Sequence, residues 1–200
     1  MVKRISHNKE EYTQTNIIII ARTTLSRTMR RLQIAVIGYN QDKSSEKTNQ
    51  MAYQVGTEIA KANAILICGG LGGVMEYACK GAKEHGGLTV GIIPQEEAQF
   101  ANRFCDVVIA TGIGYARDFV VATSADGIIA VGGGVGTLIE LCVGYMLKKI
   151  LVTIPSSGGT AENFGGRYLD DRKRVFIQTS QDAYSAVKVI SDYFGSQQEP

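Results

Sequence analysis

The chain is expected to fold as a doubly wound α/β domain, with a mostly parallel sheet and helices on both faces. Three observations predict this. Short aliphatic runs, apolar on both faces, alternate with longer segments of helical spacing. Glycine clusters follow several of those runs, where strand would hand over to helix. Glycine is abundant and proline scarce, 23 and 3 of 200 residues, which suits many tight turns between regular elements.

The elements follow in order. Residues 1–31 read as an N-terminal extension: a polar lead, a strand at Ile17-Ile18-Ile19-Ile20, then Arg22, Arg27, Arg30 and Arg31 among serines and threonines. It reads either as a basic arm or as an edge strand with a solvated connector, and Met29 is a candidate internal start. Residues 32–195 form one domain, and 196–200 should fray. Leu32–Gly38 is a buried-type strand ending in glycine. Met51, Ala52, Val55, Ile59 and Ala60 give Glu46–Ala62 a helical spacing. Ala64–Cys68 is a second strand, Val74–His85 a helix, and Leu88–Ile93 a third strand stopped by Pro94. Glu96–Arg103 is polar, and Asp106–Ala110 a fourth strand. A helix over Ala116–Ala125 precedes the strand Gly127–Val131 and a helix from Leu138 to Leu147. Ile150–Ile154 is a strand ended by Pro155, and the Ser/Gly-rich stretch Ser156–Arg167 reads as a loop. Val175-Phe176-Ile177 is a last short strand, and Thr179 or Ser180 caps a final helix through Phe194.

Composition narrows the function classes. A net charge of +2 argues for neither nucleic acid nor an anionic membrane surface. No apolar run reaches the roughly 18 residues of a membrane span, and no apolar leader with a small-residue cleavage site is visible. A cytoplasmic protein is the expectation. Cys68, Cys79, Cys105 and Cys142 lie far apart in the chain with no paired spacing, so no metal site is expected and Cys68 and Cys142 read as small core residues. There is no Gly-x-Ser-x-Gly and no Gly-Lys-Ser/Thr, which removes the serine-hydrolase and Walker-type readings.

The focal stretch is Val131-Gly132-Gly133-Gly134-Val135-Gly136-Thr137-Leu138-Ile139-Glu140. Glycines here let backbone approach an anion, and the first N–H groups of the following helix point at it. Glu140 is the lone charged side chain between Asp126 and Lys148. Two readings of it stay open. Thr137 and Glu140 fit a reciprocal capping box, or Thr137 contacts a phosphate while Glu140 faces a ligand crevice. Arg117-Asp118 likewise reads as a surface pair or as a guanidinium set against phosphate or ribose oxygens. Gly69–Gly73 is either a second ligand turn or close helix–strand packing. In such sheets the ligand lies beyond the strands' carboxyl ends, where chain order reverses. The loops after Ile37, Cys68, Ala110 and Val131 should therefore crowd one crevice.

Arg117, then Ala125-Asp126, then Gly133-Gly134-Val135-Gly136-Thr137-Leu138-Ile139-Glu140, resemble the Rossmann-like "lonely guy" (LOG) superfamily, and Cys68–Glu76 is similar to its first glycine loop. The resemblance covers roughly Ile34 to Ile154. It implies a phosphorylated ligand at Gly133, Gly134, Gly136 and Thr137, with Gly70, Gly72, Gly73 and Gly112 lining the neighbouring loops. Two branches are implied. One cleaves nucleoside 5′-monophosphates to free base and ribose 5-phosphate, with Arg117 and Glu140 as the catalytic pair. The other carries a molybdenum cofactor, binding a pterin phosphate without turning it over. Gly132 stands where the motif has Pro, Asp118 where the enzymes carry Lys, and Glu76 where their first loop has Gly. The loop through Glu76 looks more like the carrier branch. The expected ligand is a molybdopterin-type cofactor or a nucleoside monophosphate. A pyridoxal-phosphate lysine decarboxylase is rejected, for no lysine stands beside these loops. A non-catalytic assembly protein with a vestigial site is the third reading. Because Leu138–Leu147 is apolar nearly all round, a homodimer or homotetramer is expected.

Overall fold

A computed structural model describes residues 30–196. The expectations for the N-terminal strand, the basic arm and the last residues fall outside them. Seven strands form one sheet in the order β4-β3-β2-β1-β5-β6-β7, and every ladder between them is parallel. The strands are β1 (Gln33–Gly38), β2 (Ile65–Cys68), β3 (Leu88–Ile93), β4 (Val107–Ala110), β5 (Gly127–Val131), β6 (Ile150–Ile154) and β7 (Gln178–Thr179). From β1 the chain builds outward through β2, β3 and β4. It then returns to lay β5 on the other side of β1. The order reverses between β1 and β5, and a crevice opens there at the strands' carboxyl ends.

Period-two alternation in the strands feeds two cores. Ile34, Val36, Leu66, Cys68, Ile129 and Val131 face one layer with α1 (Glu46–Lys61), α2 (Val74–Glu84) and α6 (Ala183–Ser196). Ala35, Ile37, Ile67, Ile128 and Ala130 face the other, with α3 (Arg117–Ser124), α4 (Val135–Met146) and α5 (Gly159–Phe164). All five residues of β5 are buried, as a central strand covered by helices on both faces requires. A capping box between Ser45 and Thr48 starts α1. No described helix is long and apolar enough to cross a membrane.

Three boundaries differ from the sequence reading. Helix α4 begins at Val135, three residues earlier than the apolar spacing suggested, because Gly134 takes the N-cap position. Thr137 and Glu140 therefore lie inside the helix and form no capping box. The Ser/Gly-rich stretch after β6 contains α5, whose start follows a left-handed Gly158 (φ 79°). The last strand is Gln178–Thr179, not Val175–Ile177, since β6 pairs in the register Val152 with Gln178 and Thr153 with Thr179. Ile177 instead bridges Arg167 and fills the second core. Edge strand β4 also departs from the both-faces-buried pattern: the connection from β3 is no full helix, so Val107 and Ile109 stay exposed.

Candidate functional site

A crevice of about 390 Å³ lies over the β1/β5 switch point, within the usual size range of small-ligand sites. Residues from the ends of β1 and β2 and from the starts of α2, α3 and α4 line it. Gly69 and Leu71, Tyr115 and Arg117, and Gly134 to Thr137 represent the loops expected to converge, joined by Tyr39 after β1.

The turn before α4 has two sides. At its back, carbonyl oxygens are taken up by α5: Gly132 accepts from Ala161 N at 3.0 Å, and Gly133 from Thr160 N at 2.9 Å. Gly134 accepts from Thr160 Oγ1 at 2.9 Å. Ser157 Oγ accepts the Gly132 N–H at 2.7 Å. On the front, the N–H groups of Val135, Gly136 and Thr137 donate to no acceptor among the described residues; the first bond of the helix is Leu138 N to Gly134 O. Thr137 is buried and its hydroxyl also lacks a partner among those residues. Such a helix start presents donors and a partial positive charge to an anion.

Gly132 explains its own departure from the motif. Its φ is +63°, while proline is locked near −65°, so this turn takes a path that excludes proline. At Gly133 a Cβ would strike Thr137 at 2.5 Å, whereas around Gly134 there is open space. Gly134 is thus required neither by packing nor by a left-handed backbone (φ −112°).

Opposite the turn stands a buried charge cluster. Arg117 NH1 donates to Asp118 Oδ1 at 2.5 Å and lies 3.9 Å from Glu140 Oε1. All three side chains are at most 10% exposed. The Arg117 Nε–H has no acceptor among the described residues. Burial, with the negative charge of Asp118 beside it, pushes the Glu140 carboxyl up to about 8, against the opposing pull of Arg117. Burial also raises Asp118, with Arg117 working the other way. Because Asp118 has the closer contact, the ion pair is Arg117–Asp118 and Glu140 is protonated at neutral pH.

Of the residues singled out from sequence, Arg117, Glu140, Gly134, Gly136 and Thr137 line the crevice. Gly133 sits behind them against Thr137. Gly70, Gly72, Gly73 and Gly112 are not brought to it: Gly70 packs on Gly91 and Ile93, Gly72 and Gly73 on the Asn40–Gln41 loop, and Gly112 on Glu96. Glu76 is also absent from the lining. Within the Gly69–Gly73 turn it is Gly69 that reaches the crevice: the Arg117 guanidinium lies over its Cα, and a Cβ there would sit 2.6 Å from NH1. Sequence reasoning missed Tyr39 and the burial of Asp118. Position at a strand's carboxyl end was the available signal for Gly69 and Tyr39.

Comparison with known proteins bears on the family and the fold. The model of the SLOG cluster4 family matches residues 31–186, most of the chain. The chain belongs to the SLOG cluster4 family. An uncharacterized protein of Archaeoglobus fulgidus is 46% identical over 126 residues, covering 63% of this chain and 82% of that protein. A cytokinin riboside 5′-monophosphate phosphoribohydrolase of Mycobacterium marinum is 36% identical over 96 residues, 46% of this chain and 51% of that one. Among solved structures, the molybdenum cofactor carrier protein of Chlamydomonas reinhardtii superposes with a TM-score of 0.70 at 30% identity, over 83% of this chain and 99% of its own. The SLOG cluster4 chain therefore has the Rossmann-like α/β fold, with both carrier-type and phosphoribohydrolase relatives.

Proposed function

We propose that this protein binds a phosphorylated nucleotide-like or pterin ligand of the molybdopterin type and carries it without cleaving it. The phosphate docks on the N–H groups of Val135, Gly136 and Thr137 and on the Thr137 hydroxyl. The ring system lies along the crevice toward Tyr39 and Tyr115. The Arg117 Nε–H is a further donor for the ligand.

One observation carries the non-catalytic reading. In the resembling hydrolases a lysine stands where this chain has Asp118. Here Asp118 takes the Arg117 guanidinium at 2.5 Å, and burial, with the Asp118 charge beside it, pushes the Glu140 carboxyl up to about 8. An oxocarbenium-like sugar is steadied by an ionised carboxylate, and the neutral Glu140 has no such charge to offer. The relatives support both halves: a carrier of molybdenum cofactor matches nearly end to end, while the phosphoribohydrolase matches over half its length.

The phosphoribohydrolase remains the second reading, favoured by the nearness of Arg117 and Glu140 inside one crevice. Titration with AMP and with a molybdopterin-type ligand, followed by chromatography for free adenine, separates the readings. Binding without adenine release supports the carrier; release that disappears in Glu140→Ala establishes the hydrolase. Failure to bind either ligand leaves the assembly-protein reading. We further propose a homodimer or homotetramer, supported by Phe119, Met146 and Leu147, which remain about half exposed on α3 and at the end of α4.

A further inference from the structure

Behind the crevice, three sulfurs from three parts of the chain meet. Cys68 closes β2, Cys79 lies on α2, and Cys105 sits in the connection leading to β4. Their Sγ atoms are all within 4.8 Å of one another, with Cys68–Cys79 at 3.3 Å and Cys79–Cys105 at 3.9 Å. The fourth cysteine, Cys142, is on α4 and takes no part. Separations of 11 and 26 residues match no ligand-spacing pattern, which is why the chain alone gave no hint of the cluster.

The backbone is shaped around these sulfurs. Gly91 leaves room for Cys105: a Cβ there would lie 2.6 Å from its Sγ and 3.0 Å from Gly70 Cα. The Gly70 N–H donates to Cys68 Sγ at 3.3 Å, an interaction that favours a thiolate. Asn102 pins the connection over the cluster, donating its own N–H to Gly70 O at 2.8 Å and Nδ2 to Leu71 O at 3.1 Å. It also accepts the Cys105 N–H at 3.2 Å. Cys68 and Cys79 are fully buried, and half-buried Cys105 gives access from outside.

The donor set selects the ion. Among the described residues no His, Asp, Glu or fourth Cys joins the three sulfurs. Zinc in structural sites takes four tetrahedral ligands, whereas soft thiolates also select copper(I). A metal–sulfur bond of about 2.3 Å separates three coplanar sulfurs by about 4 Å. The 3.9 Å pair already has that spacing, and the 3.3 Å pair needs to open slightly.

We propose that Cys68, Cys79 and Cys105 form a three-coordinate thiolate site for a soft monovalent ion, copper(I). Binding forms three copper–sulfur bonds and releases three thiol protons to solvent; the ion enters and remains as copper(I), so no electron is transferred. The site lies one residue from Gly69, on which the Arg117 guanidinium rests, so an ion there stiffens the wall of the crevice.

The full-length reduced protein, titrated anaerobically with copper(I) against a competing chelator, tests this. One copper per chain is expected, with three sulfur neighbours in copper-edge X-ray absorption. Bound copper should slow the alkylation of half-buried Cys105 by iodoacetamide relative to the copper-free protein, while Cys142 reacts at the same rate in both. Cys79→Ser and Cys105→Ser should each weaken binding about tenfold or more, and Cys142→Ser should leave it unchanged. Two sulfur neighbours, a Cys105 alkylation rate unchanged by copper, a disulfide within the cluster as the sole product, or zinc(II) displacing copper(I) would each overturn the proposal. The alkylation rates use the unaltered chain, so they decide even where a serine variant does not fold.

Discussion

Glu140 turns a buried position into a dependence on pH. Its ordinary value is 4.5 and its folded value about 8, so between those limits the folded state holds one more proton than the unfolded state. Stability is then fully present below the lower limit and falls as pH rises through the window, on the order of 1 kcal/mol per pH unit. Glu140→Gln removes that slope. Chemical denaturation from about pH 5 to pH 8 should show the variant gaining on the unaltered protein as pH rises; parallel curves would mean that Glu140 is ionised throughout. A second consequence concerns Gly69. A methyl there meets the guanidinium, so Gly69→Ala should displace Arg117 and weaken AMP or molybdopterin binding about tenfold, equivalent to about 1.4 kcal/mol, measured by calorimetry. Arg117 and Glu140 were paired in the sequence only through the family resemblance, since their types and positions left each open between a structural and a ligand-facing role. The role of Asp118 was not legible, because burial of a carboxylate depends on which way α3 enters the crevice, and no local pattern encodes that.

At the scale of elements, the turn into α4 separates residues the fold needs from one it does not. Gly132 and Gly133 are dictated by a left-handed φ and by contact with Thr137. Gly134 borders open space in the crevice. Gly134→Ala should accordingly keep the melting temperature of the unaltered protein while reducing ligand affinity about tenfold. A drop in melting temperature with affinity retained would contradict this. The strands through β6, the half-exposed edge strand β4 apart, were readable because burial on both faces leaves a continuous aliphatic run. Helix α5 and strand β7 were not. Gly159–Phe164 offers few apolar residues to set a period, and β7 is two residues chosen by the register of β6. Apolar spacing alone missed the first turn of α4 because Val135-Gly136-Thr137 has weak helix propensity; the glycines before it are the ones anchored to α5.

For the whole molecule, the reversal of strand order fixes where the crevice opens, and the exposed apolar surface bears on the proposed assembly. Phe119 is 51% exposed and Met146 53%. Most of the apolar helix α4 is nevertheless covered within one chain, since Leu141, Val143 and Tyr145 are buried. The apolar surface left for a second copy therefore lies at the C-terminal end of α4 and on α3. Light scattering should report a dimer or tetramer, and Phe119→Glu with Met146→Glu should shift it to monomer without loss of helical signal. A monomeric unaltered protein would count against the assembly.

Because α5 holds the turn's carbonyl oxygens from behind, the main chain of the turn shows the crevice its N–H hydrogens and not its carbonyl lone pairs. A magnesium or sodium ion finds no main-chain oxygen of the turn there to replace its water shell. In the proposed docking of phosphate, the main chain's preference for an anion would persist through changes of residue type that leave the anchoring at Thr160 and Ala161 in place.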